Sequence, residues 1–168
     1  MKPLLLAPAL LFTMSSIACS QTSAPDRPAA AAAVSAHRGH SVPDITWGPV
    51  PPILPPGAQI AVLSGNPFGD GVYTLRLKMP NGYTVPPHFH PTDEDVTVIE
   101  GNLLFAGGDQ IDRSATTELH QGGFVVAAAQ AHHYVIARGE TIVQVHGMGP
   151  FAITYVNPQD DPRNASSH

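Results

Sequence analysis

The sequence predicts an all-β domain, an antiparallel sandwich or barrel of short strands, on three observations. The chain is apolar and turn-rich, with 43% hydrophobic and 12% charged residues, 18 Pro and 15 Gly, a balance unlike that of helical or disordered proteins. Short runs of β-branched and aromatic residues recur between turn residues. No helical period of useful length competes with them. At 168 residues there is room for one domain with a core of its own and too little for two of average size.

Residues 1–19 read as an export leader. Lys2 precedes an apolar run from Leu4 to Phe12, followed by small residues and Ser16-Ile17-Ala18-Cys19, which is how a secretory leader ends. The run is broken by Pro8 and falls short of the roughly 20 apolar residues of a membrane-spanning helix. The tetrapeptide resembles the lipobox of bacterial lipoproteins, with Ser16 where Leu is commoner. The expectation is an exported, periplasmic protein whose mature chain starts at a lipidated Cys19 and meets the membrane only through that anchor; an unlipidated periplasmic protein is the alternative. Cys19 is the single Cys, so no internal disulfide can form.

Residues 20–42 contain an Ala-rich stretch and no sustained hydrophobic period, the mark of a flexible linker. His37 and His40 fall in it and read as solvated. Residues 158–168 are polar, with Pro158 and Pro162, and read as a loose tail. The folded domain is therefore 43–157. Trp47 and the Pro-rich stretch from Pro49 to Pro56 precede the first clear strand, as an arm packed either on the domain or on a neighbouring subunit.

Within the domain, strands are expected at Gln59–Leu63, Val72–Lys78, Val96–Glu100, Leu103–Phe105, Phe124–Ala127, His133–Ala137, Thr141–His146 and Phe151–Val156, separated by Gly-containing turns such as Asn81-Gly82, Gly101-Asn102 and Arg138-Gly139-Glu140. Thr74 to Lys78 alternates apolar and polar residues, as a strand with one wet face does. Regular short strands and turns make a sandwich or a barrel.

A formal charge of −5, without a basic cluster, argues against nucleic acid as a partner. The nine His residues are the compositional oddity, since His serves metal binding and proton transfer more often than packing. His88 and His90 are two apart, so on a strand both imidazoles face one way while Phe89 faces the other. Pro91 supplies a bend that can return Glu94 to the same point. Neutral imidazoles and a carboxylate suit Fe, Mn, Ni, Cu or Zn. Asp93 and Asp95 flank Glu94 as substitute ligands, with a solvated acidic edge as their ordinary role.

Gly82, His88, His90, Glu94 and Gly101 stand at the spacing of the first cupin motif, and the chain is similar to cupins over about residues 58–156. Counted from Gly122, the second motif places its ligand at His133 rather than His132, although Ala128, Gln130 and Ala137 replace its Pro, second Gly and Asn. The resemblance implies an antiparallel double-stranded β-helix, a small jelly-roll barrel, with one divalent transition metal in its mouth held by His88, His90, Glu94 and His133. It resembles a single-domain bacterial group without a settled function, so the activity stays open. The first reading is a dioxygenase-like, metal-dependent enzyme acting on a small organic molecule. The alternatives are a non-catalytic binding or sensing cupin and a metal-dependent isomerase or hydrolase. A homodimer is a family-level expectation.

His146 shares a strand face with Gln144 and Ile142 and is the weak candidate for a catalytic base, if that face lines the barrel; a hydrogen-bonded structural His is the plainer reading. His120 and His132 are expected at the surface, and Tyr83, Phe105, Phe124 and Tyr134 in barrel packing.

Overall fold

A computed structural model describes residues 41 and 44–164. The leader with Cys19, most of the 20–42 linker and the last four residues lie outside them. Nine strands form one antiparallel sheet, and among the described residues there is no α-helix. They are β1 (Gly48–Pro49), β2 (Gln59–Ser64), β3 (Gly71–Met79), β4 (Thr84–Phe89), β5 (Glu94–Gly107), β6 (Thr117–Leu119), β7 (Phe124–Ala127), β8 (His133–Gly149) and β9 (Thr154–Tyr155). The all-β class is as the sequence predicted, and the curled sheet is that of a jelly-roll barrel.

The barrel is organised on β8. Its first half lies between β4 and β5, and its second half between β3 and β5. Alternation sets its interior. In β3, Tyr73, Leu75, Leu77 and Met79 are buried and the residues between them half-buried, so each strand presents one face to the core. Val96, Val98, Leu103, Val143 and Val145 join them there, each such side chain contributing about 1.5–3 kcal/mol on burial.

Two of the expected turns are bends instead. Gly101-Asn102 and Arg138-Gly139-Glu140 lie inside β5 and β8, which run on through 14 and 17 residues. The two strands stay paired on both sides, with register shifts where Glu100 faces Ile142 and Asn102 faces Arg138. Gly101 and Gly139 take φ of +76° and +80°, so here the glycines turn each strand round a barrel corner rather than reversing the chain.

The arm packs on its own barrel. Leu54 is buried in the core, with Val50 and Ile53 against it. The Tyr83 hydroxyl donates to the carbonyl of Pro55, and that of Tyr155 to the carbonyl of Ile53 at 2.9 Å. The expected loose tail is, as far as residue 164, turned back on itself: Asn157 caps a 3₁₀ turn over Pro158–Asp160, Asn164 Nδ2 donates to Pro158 O at 2.7 Å, and Arg163 pairs with Asp161 and reaches Ile153 O.

Candidate metal centre

Buried polar side chains are few. Among the described residues they are His88, His90, Glu94, His133 and Thr141, and the first four meet in one cavity. His88 lies near the end of β4, His90 just after it, Glu94 opens β5 and His133 opens β8. His88 faces His133 directly in the ladder, which brings groups 45 positions apart in sequence to one point. The alternation read from the sequence holds: Phe89 points away from the cluster and stacks on His132, ring centroids 5.0 Å apart.

The backbone fixes which nitrogen each imidazole offers. His88 Nδ1 lies 2.7 Å from Pro86 O, His90 Nδ1 2.8 Å from Ala152 O and His133 Nδ1 3.1 Å from Ala131 O. A carbonyl can only accept, so all three Nδ1 atoms carry the proton and all three Nε2 lone pairs are free, as in a metal ligand set. The ligand nitrogens of the three lie within 4.8 Å of one another. Glu94 Oε2 stands 3.4 Å from His90 Nε2 and 3.9 Å from His133 Nε2. Two donor atoms each about 2.1 Å from one ion are about 3.0–3.4 Å apart at octahedral to tetrahedral angles. The His90–Glu94 spacing therefore suits two donors on one cation, and the other donor separations lie within a few tenths of an ångström to about 1.5 Å of that value. His90 Nε2 is buried and has no hydrogen-bond partner, a cost normally avoided and removed when that lone pair meets a cation.

Aromatic rings hold the imidazoles in orientation. Phe105 stacks on His133 and Phe151 on His90, with ring centroids 5.4 and 5.7 Å apart. In the metal-free cluster, burial and the neighbouring His133 and His90 push His88 down to about 3. Burial also lowers His133. Burial works against charge on both His90 and Glu94, yet their mutual attraction outweighs it, holding His90 above the usual imidazole range and Glu94 below the usual carboxylate range.

Asp93 and Asp95 are not in the cluster. Asp93 Oδ1 accepts from Ala129 N at 2.7 Å, and Asp95 is paired with His146 away from the cavity. His146 takes the plainer of its two readings and is removed as a candidate base: it is exposed, on the outer face, with Nδ1 2.9 Å from Thr74 Oγ1. Val143 and Val145 take the inward positions of β8, so His146 must point out and cannot serve the pocket. His132 is half-buried, with Nδ1 2.6 Å from Asp109 Oδ1, and His120 Nδ1 meets Asn102 Oδ1 at 2.8 Å. Tyr83 and Tyr134 are buried as expected, whereas Phe124 is 55% exposed on β7, a strand paired on one side only.

Two features were not read from the sequence. The carbonyls of Pro86, Ala131 and Ala152 are main-chain atoms and leave no mark on residue type. Phe151 and Leu54 line the cavity from segments whose only sequence signal is apolarity.

Residues 75–148 match the family model of the cupin domain. No curated protein matches the chain in sequence. Among solved structures, the chain is similar to the polyketide cyclase RemF of Streptomyces resistomycificus, at 16% identity over 79% of this chain and 94% of that one, with a TM-score of 0.58. It is similar to a candidate acetylacetone dioxygenase of Methylibium petroleiphilum, at 19% identity over 79% and 96%, with a TM-score of 0.57. A third is an RmlC-like cupin of Shewanella frigidimarina, at 12% identity over 67% and 90%, with a TM-score of 0.53. At these identities the likeness is one of fold.

Proposed function

Since residues 75–148 of this chain match the cupin domain model, we propose that it binds one divalent transition metal through His88, His90, Glu94 and His133 and acts through it on a small organic molecule. One observation carries this reading: three clustered imidazoles have Nδ1 committed to backbone carbonyls and Nε2 free, and the Nε2 atoms of His90 and His133 lie 3.4 and 3.9 Å from the buried Glu94 carboxylate. Fe, Mn, Ni, Cu and Zn all accept such donors. When bound, the ion supplies Lewis-acid or redox chemistry. The chain does the rest: Glu94 offsets part of the cation's charge, Phe105 and Phe151 keep the rings aimed, and the apolar barrel keeps bulk water from the reacting group.

Oxygenase-type chemistry on a small molecule is the enzymatic form of this reading, supported by the fold likeness to the candidate acetylacetone dioxygenase. A specific observation favours a second reading, a non-catalytic binder or sensor. Apart from the four ligand residues, every side chain lining the cavity is apolar, so no separate acid or base opens into it. A redox-inert Zn would point instead to isomerisation or hydrolysis.

The protein is purified untagged from its native compartment for elemental analysis. About one equivalent of a transition metal, lost in His88→Ala, is the expected result. Metal-free protein after supplementation with each candidate metal overturns the reading. Oxygen uptake or product formation with phenols, thiols and keto acids then separates the enzyme from the binder. Export rests on the leader around Leu4–Phe12, and anchoring on Cys19, for which the mass of the mature N-terminus is the test. Exposed Phe124 and Val126 on edge strand β7 support a homodimer.

A further inference from the structure

The cavity that holds the cluster is chemically one-sided. Its polar atoms come from His88, His90, Glu94 and His133, and the remaining lining includes Leu54, Leu77, Met79, Val96, Val143 and Ile153, with no Lys, Arg, hydroxyl or amide side chain anywhere on the wall. A hydroxyl or carboxylate turned toward that wall gives up its water and gains no partner. The charge arithmetic is equally restrictive. Three neutral imidazoles and one carboxylate around a divalent cation leave one net positive charge, and a single negative charge on the ligand neutralises it. A second negative charge would be buried without a counter-charge.

Size follows from the cavity volume, about 40 Å³ on the scale where one water takes about 10–15 Å³. Three or so water-sized groups fill it. Leu54, 3% exposed, enters from the arm, which the Tyr83 and Tyr155 hydroxyls tie down through the carbonyls of Pro55 and Ile53 on either side of it. Its position is thus set by two hydrogen bonds to its chain neighbours, and it occupies room that a ligand would otherwise take.

Resting on the metal-binding reading above, we propose that this cavity takes ligands with a single anionic oxygen head on a short apolar body, and that Leu54 limits the length of that body. Sugars and dianions are excluded by the wall, and longer apolar chains by Leu54.

The test uses the full-length protein loaded with Co²⁺, whose visible absorption reports ligand binding without any turnover. Cobalt is first counted: one equivalent is expected, and no uptake overturns both the metal reading and this inference. The loaded protein is then titrated with acetate, butyrate and hexanoate, with succinate as the dianion matching butyrate in length, and with glycerol as the neutral polyol. Butyrate is expected to bind at least tenfold more tightly than succinate, and glycerol to leave the spectrum unchanged. Leu54→Ala should shift the tightest-binding chain to a longer acid and Leu54→Phe to a shorter one, each with cobalt still at one equivalent; Leu54→Val gives the same reading as Leu54→Ala if the latter does not fold. Equal or tighter binding of succinate or glycerol, or an unmoved chain-length optimum in the Leu54 variants, overturns the inference while the cobalt count leaves the metal reading standing.

Discussion

His90 Nε2 lies 3.4 Å from Glu94 Oε2, and no hydrogen bond reaches that nitrogen. The contact is closer to the spacing of two ligands around one ion than to a finished ion pair. Glu94→Gln keeps the shape of the side chain and removes its charge. Losing a partner of a ligand His commonly costs 10–100-fold in metal affinity, and losing an anionic ligand itself should cost at least about that much. Competition against a chromophoric chelator measures it; unchanged affinity would mean that Glu94 is not a ligand.

The metal-free protein should lose stability as the solution is acidified from about pH 6.5. His88 is pushed down to about 3 by burial and by its His neighbours, so in the folded chain it stays neutral over a range where the unfolded chain takes up a proton. The unfolded state then binds more protons, and stability rises with pH between about 3 and 6.5. At about 1.36 kcal/mol per pH unit, the span from 6.5 to about 3 amounts to something on the order of 4–5 kcal/mol for this one group. His133, also lowered, adds in the same sense. Glu94, held below its usual range, contributes stability that is present above its unfolded value and disappears as pH falls through its folded one. His90 acts the other way: its raised value gives stability that is complete below the unfolded value and lost as pH rises through the folded one. Thermal melts of chelator-treated protein between pH 4 and 8 check this, and His88→Leu should flatten the acid limb by about one proton's worth. An acid limb identical in the variant would show that His88 is not the group responsible.

Much of the centre was legible in the sequence because its signals are local. His88, His90 and Glu94 lie within seven residues, and strand alternation aims the two imidazoles together whatever the rest of the fold does. His133 needed the motif frame, which chose it over His132. His146 shows where such reasoning stops: alternation says which residues share a face, and only the neighbouring strands decide which face is the interior. In sequence the bends at Gly101 and Gly139 look like turns because a bulge and a turn ask for the same residue, one that tolerates positive φ. What separates them is continued pairing between β5 and β8, a property of two segments that neither carries alone.

Gln130 stands where the cupin motif has Gly, and its backbone still adopts the conformation that Gly would supply, with φ +62°. That conformation costs an ordinary residue about 1–2 kcal/mol. Its main-chain N–H and side-chain Nε2 both donate to His90 O, at 2.9 and 3.2 Å, so the side chain returns about 0.5–1.5 kcal/mol as a hydrogen bond. Gln130→Gly exchanges one term for the other, and its unfolding free energy should stay within about 1 kcal/mol of the parent. Gln130→Val keeps the strained backbone, adds a β-branched side chain and loses the bond, so a loss of about 2 kcal/mol or more is expected. Urea denaturation midpoints distinguish the two; equal midpoints for the Gly and Val variants would show that the loop relaxes freely and that Gln130 does not brace His90.

Gly101 poses the sharper version of the same question. Its φ of +76° is in the left-handed region, and a Cβ built on it would run into the carbonyl oxygen of Glu140 on the facing strand. Thr141 is fully buried beside it, its hydroxyl donating to Asn102 O at 2.9 Å, so the facing strand has no room to withdraw without breaking that bond. Gly101→Ala therefore meets a backbone penalty and a clash with main chain together, and a loss of about 2–4 kcal/mol is expected. Gly82 shows what the conformational penalty costs by itself: its φ is +81° with nothing within 4 Å of the added Cβ, and Gly82→Ala should cost only about 1–2 kcal/mol. Comparing the two variants in one denaturation series isolates the contact with Glu140 from the strain of positive φ. If Gly101→Ala proves no worse than Gly82→Ala, the bend in β5 can yield, and the close approach of β5 to β8 at this corner is not what fixes the barrel's curvature.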